Sequence, residues 1–502
     1  VSLLAGTCGF FIYSIYLSKN MFSSSKPKPN TKKKSKKSLF KRVMAWLHLW
    51  LGLASGIIVV IVSLTGCIYV FENEIKDFIE DWRFVKPQEK AFLLPSQLVT
   101  IADKKMKDKH AASVTFGEKD DAAIVGYFVE KKEDNEKGRG EKGEHKKGER
   151  KGRKNDIAEN KGQKGEVKSQ GKPSEKAKGK KGEKPKKGRR QGTFISVYMN
   201  PYTGEILNVK TFSRGDSPDF FRWILNGHRA LWLPYDIGRP IVGVAVLIFV
   251  VLLISGIVLW WPTKWIKSII DKSFKIKWDA SFKRVNYDFH NVLGFYSCIF
   301  LFFIAVTGLV WSFGWWSKSL YWVTSGGKPL TENRESPKSD TTNIKAFDIT
   351  TADKVLLKMQ KENPQASGIL ISIPSKPADP IGAFVYKQKN TFYNMDRYSF
   401  DQQSLKEISI KTPFSGKYID ANIPDKIRRM NYDIHVGSVL GLTGKFIAFF
   451  ASLISATLPI TGFIIWWGKQ KFGKKKPAAK PKVAAKAVPV PKKNIAEQEV
   501  TA

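Results

Sequence analysis

The amino-acid sequence predicts an α-helical membrane protein: a four-helix transmembrane bundle arising from a tandem duplication, with two α+β outer domains. Three observations lead there. Four apolar runs, at 46–70, 239–261, 290–316 and 440–467, are long enough to cross a bilayer, which takes about 20 residues at 1.5 Å rise. The positive charge avoids these runs. The two halves of the chain also repeat the same residue types at matching offsets.

The chain has 502 residues, 84 Lys and Arg against 45 Asp and Glu, and a formal net charge of +39. Most of that charge lies in three stretches nearly free of apolar residues. Residues 19–42 carry ten bases and no acid, 130–190 carry 24 bases and 12 acids, and 469–502 carry ten lysines and two glutamates. Such composition cannot bury enough surface to offset its ordering entropy, so disorder is expected there. The 130–190 insert has no interleaved aromatics for base stacking, and no nucleic-acid partner is expected. Three scattered cysteines exclude a disulfide scaffold, and the absence of C-x-x-C-H excludes ordinary c-type haem attachment.

In chain order, residues 1–45 form a basic leader. The chain opens on Val1, and the reading is that expression starts at Met21, with 1–20 otherwise an extra apolar segment. The first span is 46–70 and the first outer domain 71–221, interrupted by the insert. A histidine-bearing helix at 222–238 precedes the second span, 239–261. A loop at 262–289 leads to the third span, 290–316, then to the second outer domain, 317–427. A second histidine-bearing helix, 428–439, precedes the last span, 440–467, and the basic tail, 468–502. The Trp pairs 260–261, 315–316 and 466–467 stand at span ends, where amphipathic rings prefer the headgroup level. The leader, the Lys264–Arg284 loop and the tail share one side, which the positive-inside rule makes the cytoplasm. The outer domains then face the periplasm across the inner membrane.

The repeat places four histidines. Phe40-Lys41-Arg42-Val43 recurs as Phe282-Lys283-Arg284-Val285, each Arg followed six residues later by a histidine, His48 and His290. Gly52 and Gly294, then Thr65-Gly66 and Thr307-Gly308, follow at identical offsets. Arg222 and Arg429 likewise precede His228 and His435 by six residues, and Ser255-Gly256 and Thr461-Gly462 match beyond a single-residue shift. By topology His48 and His290 share the cytoplasmic level, while His228 and His435 share the periplasmic one. Ionisable residues at membrane depth are costly and mark function, and imidazole is the common axial haem ligand in bundle cores. The expectation is two b-type haems, one on each pair, with Gly52 and Gly294 letting the macrocycle approach. Arg42, Arg284, Arg222, Arg229, Arg239, Arg429 and Lys445 are the candidates to pair with propionates. His228 and His435 stand before their spans, which suggests short helices at the membrane surface.

Each outer domain reads as a helix capped by Ser or Thr (from Ser96 and from Thr350) followed by strands: Ala123–Val129, Thr193–Met199, Ala383–Tyr386 and Thr391–Tyr393. A turn follows at Asn200–Glu205, with a degenerate counterpart at Asp396–Ser404. The run Val197-Tyr198-Met199-Asn200-Pro201-Tyr202-Thr203-Gly204-Glu205-Ile206-Leu207 resembles the closing motif of PepSY domains. With the flanking histidine-bearing spans, residues 38–470 resemble the PepSY-associated transmembrane helix family. That resemblance implies PepSY-like outer domains and an iron-regulated inner-membrane protein, in a group that includes ferric-siderophore reductases carrying haem b. It implies an oxidoreductase of the transmembrane ferric reductase type, taking electrons from a cytoplasmic or quinol donor to a ferric-siderophore or other ferric complex. No P-loop, G-x-S-x-G, H-E-x-x-H or Rossmann fingerprint is present, so no hydrolytic or nucleotide chemistry is indicated. A PepSY-bearing membrane-anchored regulator or protease-inhibiting module is the alternative, and a transporter is a third reading.

Overall fold

The computed structural model describes residues 38–107, 109–130, 192–213, 219–330, 336–342, 346–410 and 412–472. The leader before residue 38, the insert from 131 to 191 and the tail after 472 lie outside them. Among the described residues, four helical stretches are long and apolar enough to cross a membrane: Leu39–Tyr69, Tyr235–Trp260, Phe282–Ser312 and Ser438–Gln470. The first is helix α1, whose N-terminus is capped by the Ser38 hydroxyl accepting from the Lys41 amide (3.3 Å). Helix α2 (Glu72–Ile79) and α3 (Pro95–Lys105) follow, then strands β1 (Ala111–Phe116), β2 (Ala123–Glu130), β3 (Gly192–Met199) and β4 (Ile206–Ser213). Helix α4 (Phe220–Ala230) leads into the spanning α5 (Tyr235–Trp260).

The second half runs through α6 (Lys267–Phe274) and α7 (Phe282–Asp288) into α8 (Gly294–Ser312), with a π-helical turn at Phe289–Leu293 between α7 and α8. Helices α9 (Gly314–Thr324) and α10 (Thr350–Glu362), strands β5 (Gly368–Ser372), β6 (Ile381–Tyr386) and β7 (Asp396–Phe400), and helix α11 (Ile423–Val436) precede the last spanning helix, α12 (Gly441–Phe472). Helix α1 packs against α5 and α12, and α8 packs against the same two. The bundle is therefore a closed ring, with α1 and α8 on one diagonal. Each Trp pair divides its work. Trp260 turns inward, stacked on Phe295 with centroids 3.8 Å apart and donating to the Ser273 carbonyl (3.0 Å), while Trp261 stays exposed.

The two outer segments build one sheet. Its seven strands run β4-β3-β2-β1-β5-β6-β7, and every pairing is antiparallel. The junction is β1 with β5, in the register Val114 to Ile371. One face carries α3 and α10, and the core between them holds Leu98, Ala102, Val355, Leu356 and Met359 against Val114, Val125, Val197, Ile371 and Val385. Alternate strand residues face this core, as the two-residue period requires.

Three local expectations are corrected. Helix α3 is not capped by Ser96: the Gln97 side chain accepts from the Leu94 amide (2.9 Å), and Ser96 instead donates its amide and hydroxyl to Asp353 on α10 (2.8 and 2.6 Å). In α10 Thr350 is the first helical residue and not the cap; its amide donates to the Asp348 carboxylate ahead of the helix (2.9 Å). Residues Thr391–Tyr393 form no strand, and the last strand begins at Asp396, inside the segment read as a degenerate turn. The preference of a short strand is weak, and here pairing with β6 decides.

Candidate functional site

The four histidines meet in two pairs at opposite ends of the bundle. At the end away from the sheet, the His48 and His290 rings lie 6.3 Å apart between centroids, with planes at 88°. At the sheet end, His228 and His435 lie 6.0 Å apart, with planes at 68°. His48 comes from α1 itself and His290 from the π-helical turn ahead of α8. π-Turns inside helices recur at functional sites because they re-aim a side chain. His228 and His435 come from α4 and α11, short helices docked on the spans. Their rings reach in among the spanning helices. The His228 Nδ1 reaches the Val62 carbonyl, seven residues or about 10 Å from the end of α1.

Each ring sits in the same kind of seat, a Ser/Thr-Gly pair on another helix. His48 Nδ1 is 2.9 Å from the Ser255 hydroxyl and His290 Nδ1 is 2.9 Å from that of Thr461. His228 Nδ1 lies 2.9 Å from the Val62 carbonyl and 3.4 Å from the Thr65 hydroxyl. His435 Nδ1 lies 2.9 Å from the Ile304 carbonyl and 3.1 Å from the Thr307 hydroxyl. Beside each hydroxyl stands a glycine whose missing Cβ makes room for the ring. A carbon there would come within 3.2 Å of His228 Cε1 at Gly66, 3.4 Å of His48 at Gly256, 3.1 Å of His435 at Gly308 and 3.3 Å of His290 at Gly462. By contrast, a Cβ at Gly52 or Gly294 meets one leucine methyl, at 3.9 or 3.5 Å. Of these six, Gly66, Gly308 and Gly462 are the tight ones, while Gly256 is in ordinary contact with its ring.

The seats also fix the proton. A carbonyl only accepts, so Nδ1 of His228 and of His435 is the donor. The Ser255 and Thr461 hydroxyls donate their own protons to the Leu252 (3.1 Å) and Thr457 (2.9 Å) carbonyls and accept from Nδ1. All four imidazoles are thus Nδ1–H tautomers with Nε2 left as the acceptor, the state that ligates a metal. Burial holds His228 and His435 neutral: both pKa values fall below the usual range, that of His435 to about 4, helped by the nearby His228.

This donor set fits a metal held between two imidazoles. Two metal–nitrogen bonds of about 2.0–2.1 Å, plus about 1.1 Å from each ring centre to its nitrogen, give about 6.3 Å between centroids. Both pairs stand close to that value. Corresponding positions on α1 and α8, His48 to Val62 and His290 to Ile304, are 14 residues apart, so the two levels are separated by about 21 Å along the axis. A cavity of about 360 Å³ opens at the sheet-end pair, and Arg229, Tyr235 and Arg239 are among its walls. Of these, Arg229 donates to the Tyr235 hydroxyl (3.0 Å) and Arg239 to the Ser312 carbonyl (3.1 Å), while the other basic candidates lie away from this cavity. Arg284 pairs with Asp288 (2.9 Å), Lys445 with Glu74 (2.6 Å), and Arg222 lies over Phe212. Arg429 is bound to backbone carbonyls, and Arg42 is exposed.

Further supporting residues carry a sequence signal of their own. Asn-Tyr-Asp-x-His occurs twice, at 286–290 and 431–435. Asn286 donates to the carbonyl of Thr461 (3.1 Å) and Asn431 to that of Thr307 (3.2 Å), so each amide braces the seat its own histidine occupies. Asp288 and Asp433, both fully buried, accept backbone amides, from Lys277 (3.2 Å) and Phe392 (3.1 Å). His110 is exposed, and His145 lies outside the described residues.

Four long apolar helices and an antiparallel sheet define a multi-pass helical membrane protein with an α+β part. The chain belongs to the PepSY-associated TM region family, whose model matches residues 45–469. No curated protein sequence matches it.

Proposed function

We propose that the chain is a di-haem b electron-transfer protein of the inner membrane, with its sheet in the periplasm and its tails in the cytoplasm. The two halves are read as a tandem duplication and the two outer segments as PepSY-like units. His48 and His290 would hold one haem, and His228 and His435 the other. The observation that carries this reading is the pair of histidine pairs, each spaced for two imidazoles to share one metal and each ring held through Nδ1 by a neighbouring helix.

Haem held by these histidines would supply one-electron transfer. The chain's own residues orient and insulate. Ser255 and Thr461 fix the far-end rings, and the Val62 and Ile304 carbonyls fix those at the sheet end. Arg229 and Arg239 stand where carboxylates of a bound macrocycle would need counter-charge. Electrons from a cytoplasmic or quinol donor would reach a ferric complex, such as a ferric siderophore, on the sheet side. Reduction weakens such a complex because hard oxygen donors selected for Fe(III) hold Fe(II) less well. Protein purified from haem-replete cells should show a Soret band, a b-type α-band after dithionite, and two haems per chain. His48→Ala or His290→Ala should remove about half the haem. A colourless preparation would sink the reading. Reduced protein mixed with ferric complexes and a ferrous chelator tests the substrate: if the haem stays reduced with every complex tried, the reductase assignment fails.

A further inference from the structure

Between the sheet and the sheet end of the bundle lies a second cavity, of about 300 Å³. Three arginines line it, Arg397 from β7 and Arg428 and Arg429 from α11. Arg429 serves the fold. Its guanidinium donates to the carbonyls of Pro413 (2.8 Å) and Ser415, and so fixes the loop that carries Phe414. Arg397 and Arg428 then flank that ring, their guanidinium carbons 5.2 and 5.6 Å from its centroid. Burial and the neighbouring Arg429 push the Arg397 pKa below its ordinary value, a sign of cationic charge crowded in a poorly solvated place. Arg428 also donates to the Ser317 hydroxyl (2.8 Å). Asp396 pairs with Lys387 (3.0 Å), and Asp433 Oδ1 accepts from the Phe392 amide and the Ser438 hydroxyl; neither of these two carboxylates is among the cavity walls.

Guanidinium groups held rigidly in an aromatic recess match planar oxygen anions, since each can donate a fork of two charge-assisted hydrogen bonds. The recess is also next to the histidines. Trp311 and Tyr432 line both this cavity and the one at His228 and His435. The Trp311 ring lies 5.2 Å from the His435 ring.

We infer that this cavity binds an anionic metal chelate, the electron acceptor of the transfer proposed above, on which this inference rests. Carboxylate or catecholate oxygens of the chelate pair with Arg397 and Arg428, and one arm lies against Phe414. The cavity is at the small end for ligand sites, which run at about 300–1,000 Å³, so one arm enters and the rest of the chelate remains outside. One electron from the reduced protein converts Fe(III) to Fe(II) and leaves the chelate one charge more negative. No covalent bond forms, and no proton moves.

Gallium(III) chelates test the site without electron transfer, because gallium shares the charge of Fe(III) and is not reduced under these conditions. With the full chain in detergent, titration calorimetry should show gallium citrate or a gallium tris-catecholate binding at least tenfold more tightly than a neutral gallium hydroxamate. The anionic affinity should fall as salt rises. Arg397→Gln should weaken it at least tenfold, Arg428→Gln similarly, and Arg397→Lys less, all with haem content unchanged. Equal affinity of the unmodified chain for neutral and anionic chelates would overturn the inference, as would full binding by Arg397→Gln. Loss of half the haem in Arg397→Gln would assign the arginine to a haem carboxylate and overturn it too. Gallium binding without reduction of the ferric counterpart would uphold the anion site and defeat the reductase reading.

Discussion

The two histidine pairs share one seat design but differ in what carries them. At the far end the rings project from spanning helices, so bundle packing alone sets their positions. At the sheet end they ride on α4 and α11, which reach the spans through tight corners. The α11 corner turns at Gly437, with φ of 81°, where a Cβ would fall 2.2 Å from the Gly444 carbonyl oxygen. The α4 corner turns at Leu231 and Trp232, both at positive φ (53° and 57°). A far-end site thus inherits the stability of the membrane bundle. The sheet-end site depends in addition on two local backbone shapes, and it is the end that opens toward cavities.

The largest expected effect comes from breaking a corner. Gly437→Ala adds the left-handed penalty of about 1–2 kcal/mol to a backbone overlap, and should cost about 3 kcal/mol or more. Thermal melts should show this, and under the proposed function the haem at the sheet end should be lost while that at the far end is kept. Loss of both haems together would mean the two ends are not separable. In the other corner, Leu231→Gly should change stability by less than about 1 kcal/mol, because relief of strain is offset by greater freedom of the unfolded chain.

Next come the seat glycines. Alanine at Gly66 or Gly308 crowds its histidine at 3.2 or 3.1 Å, against 3.4 or 3.3 Å at Gly256 or Gly462. Sheet-end haem retention should fall about tenfold, in the range typical of outer-shell ligand supports, and far-end retention by less. Haem loss to apomyoglobin measures both, and the reverse order would mean that the far-end seats are the less tolerant ones. Asn286→Ala and Asn431→Ala each remove one buried brace and should destabilise by about 1 kcal/mol, alike at the two ends, which chemical denaturation can check. The smallest effects are those of the hydroxyls. Ser255→Ala should broaden or shift the electron paramagnetic resonance signal of the far-end haem. Thr65→Val, whose hydroxyl stands 3.4 Å from a ring already bonded to a carbonyl, should leave the sheet-end signal nearly unchanged.

Much of this was legible in the sequence, and the limits have physical causes. The four long helices follow from apolar run length, which is local. The histidine pairing followed from repeat offsets and topology. The Ser/Thr-Gly pairs were visible too, but only as markers of the repeat. That Gly256 serves His48, over 200 residues away, depends on which helices are neighbours, and no offset states it. The doubled Asn-Tyr-Asp-x-His segment was equally readable, yet its copies stand at opposite ends of the bundle, and an alignment of half against half does not superpose them. The β1–β5 junction joins strands about 250 residues apart, with no local signal for the pairing. Ser96 misled because a serine ahead of a helix looks like a cap, whereas its partner is Asp353 on the other outer helix.

That junction has a mechanical consequence. Antiparallel pairing of β1 with β5, in register from Ser113 opposite Ser372 to Phe116 opposite Ile369, bolts the outer segment of α1 and α5 to that of α8 and α12. The sheet acts as a beam across two posts. Rocking one half of the bundle against the other, as alternating-access carriers do, would shear this beam along its middle. A conduit whose rate depends on fixed spacing between two stations gains from such a tie, and a carrier would be jammed by it.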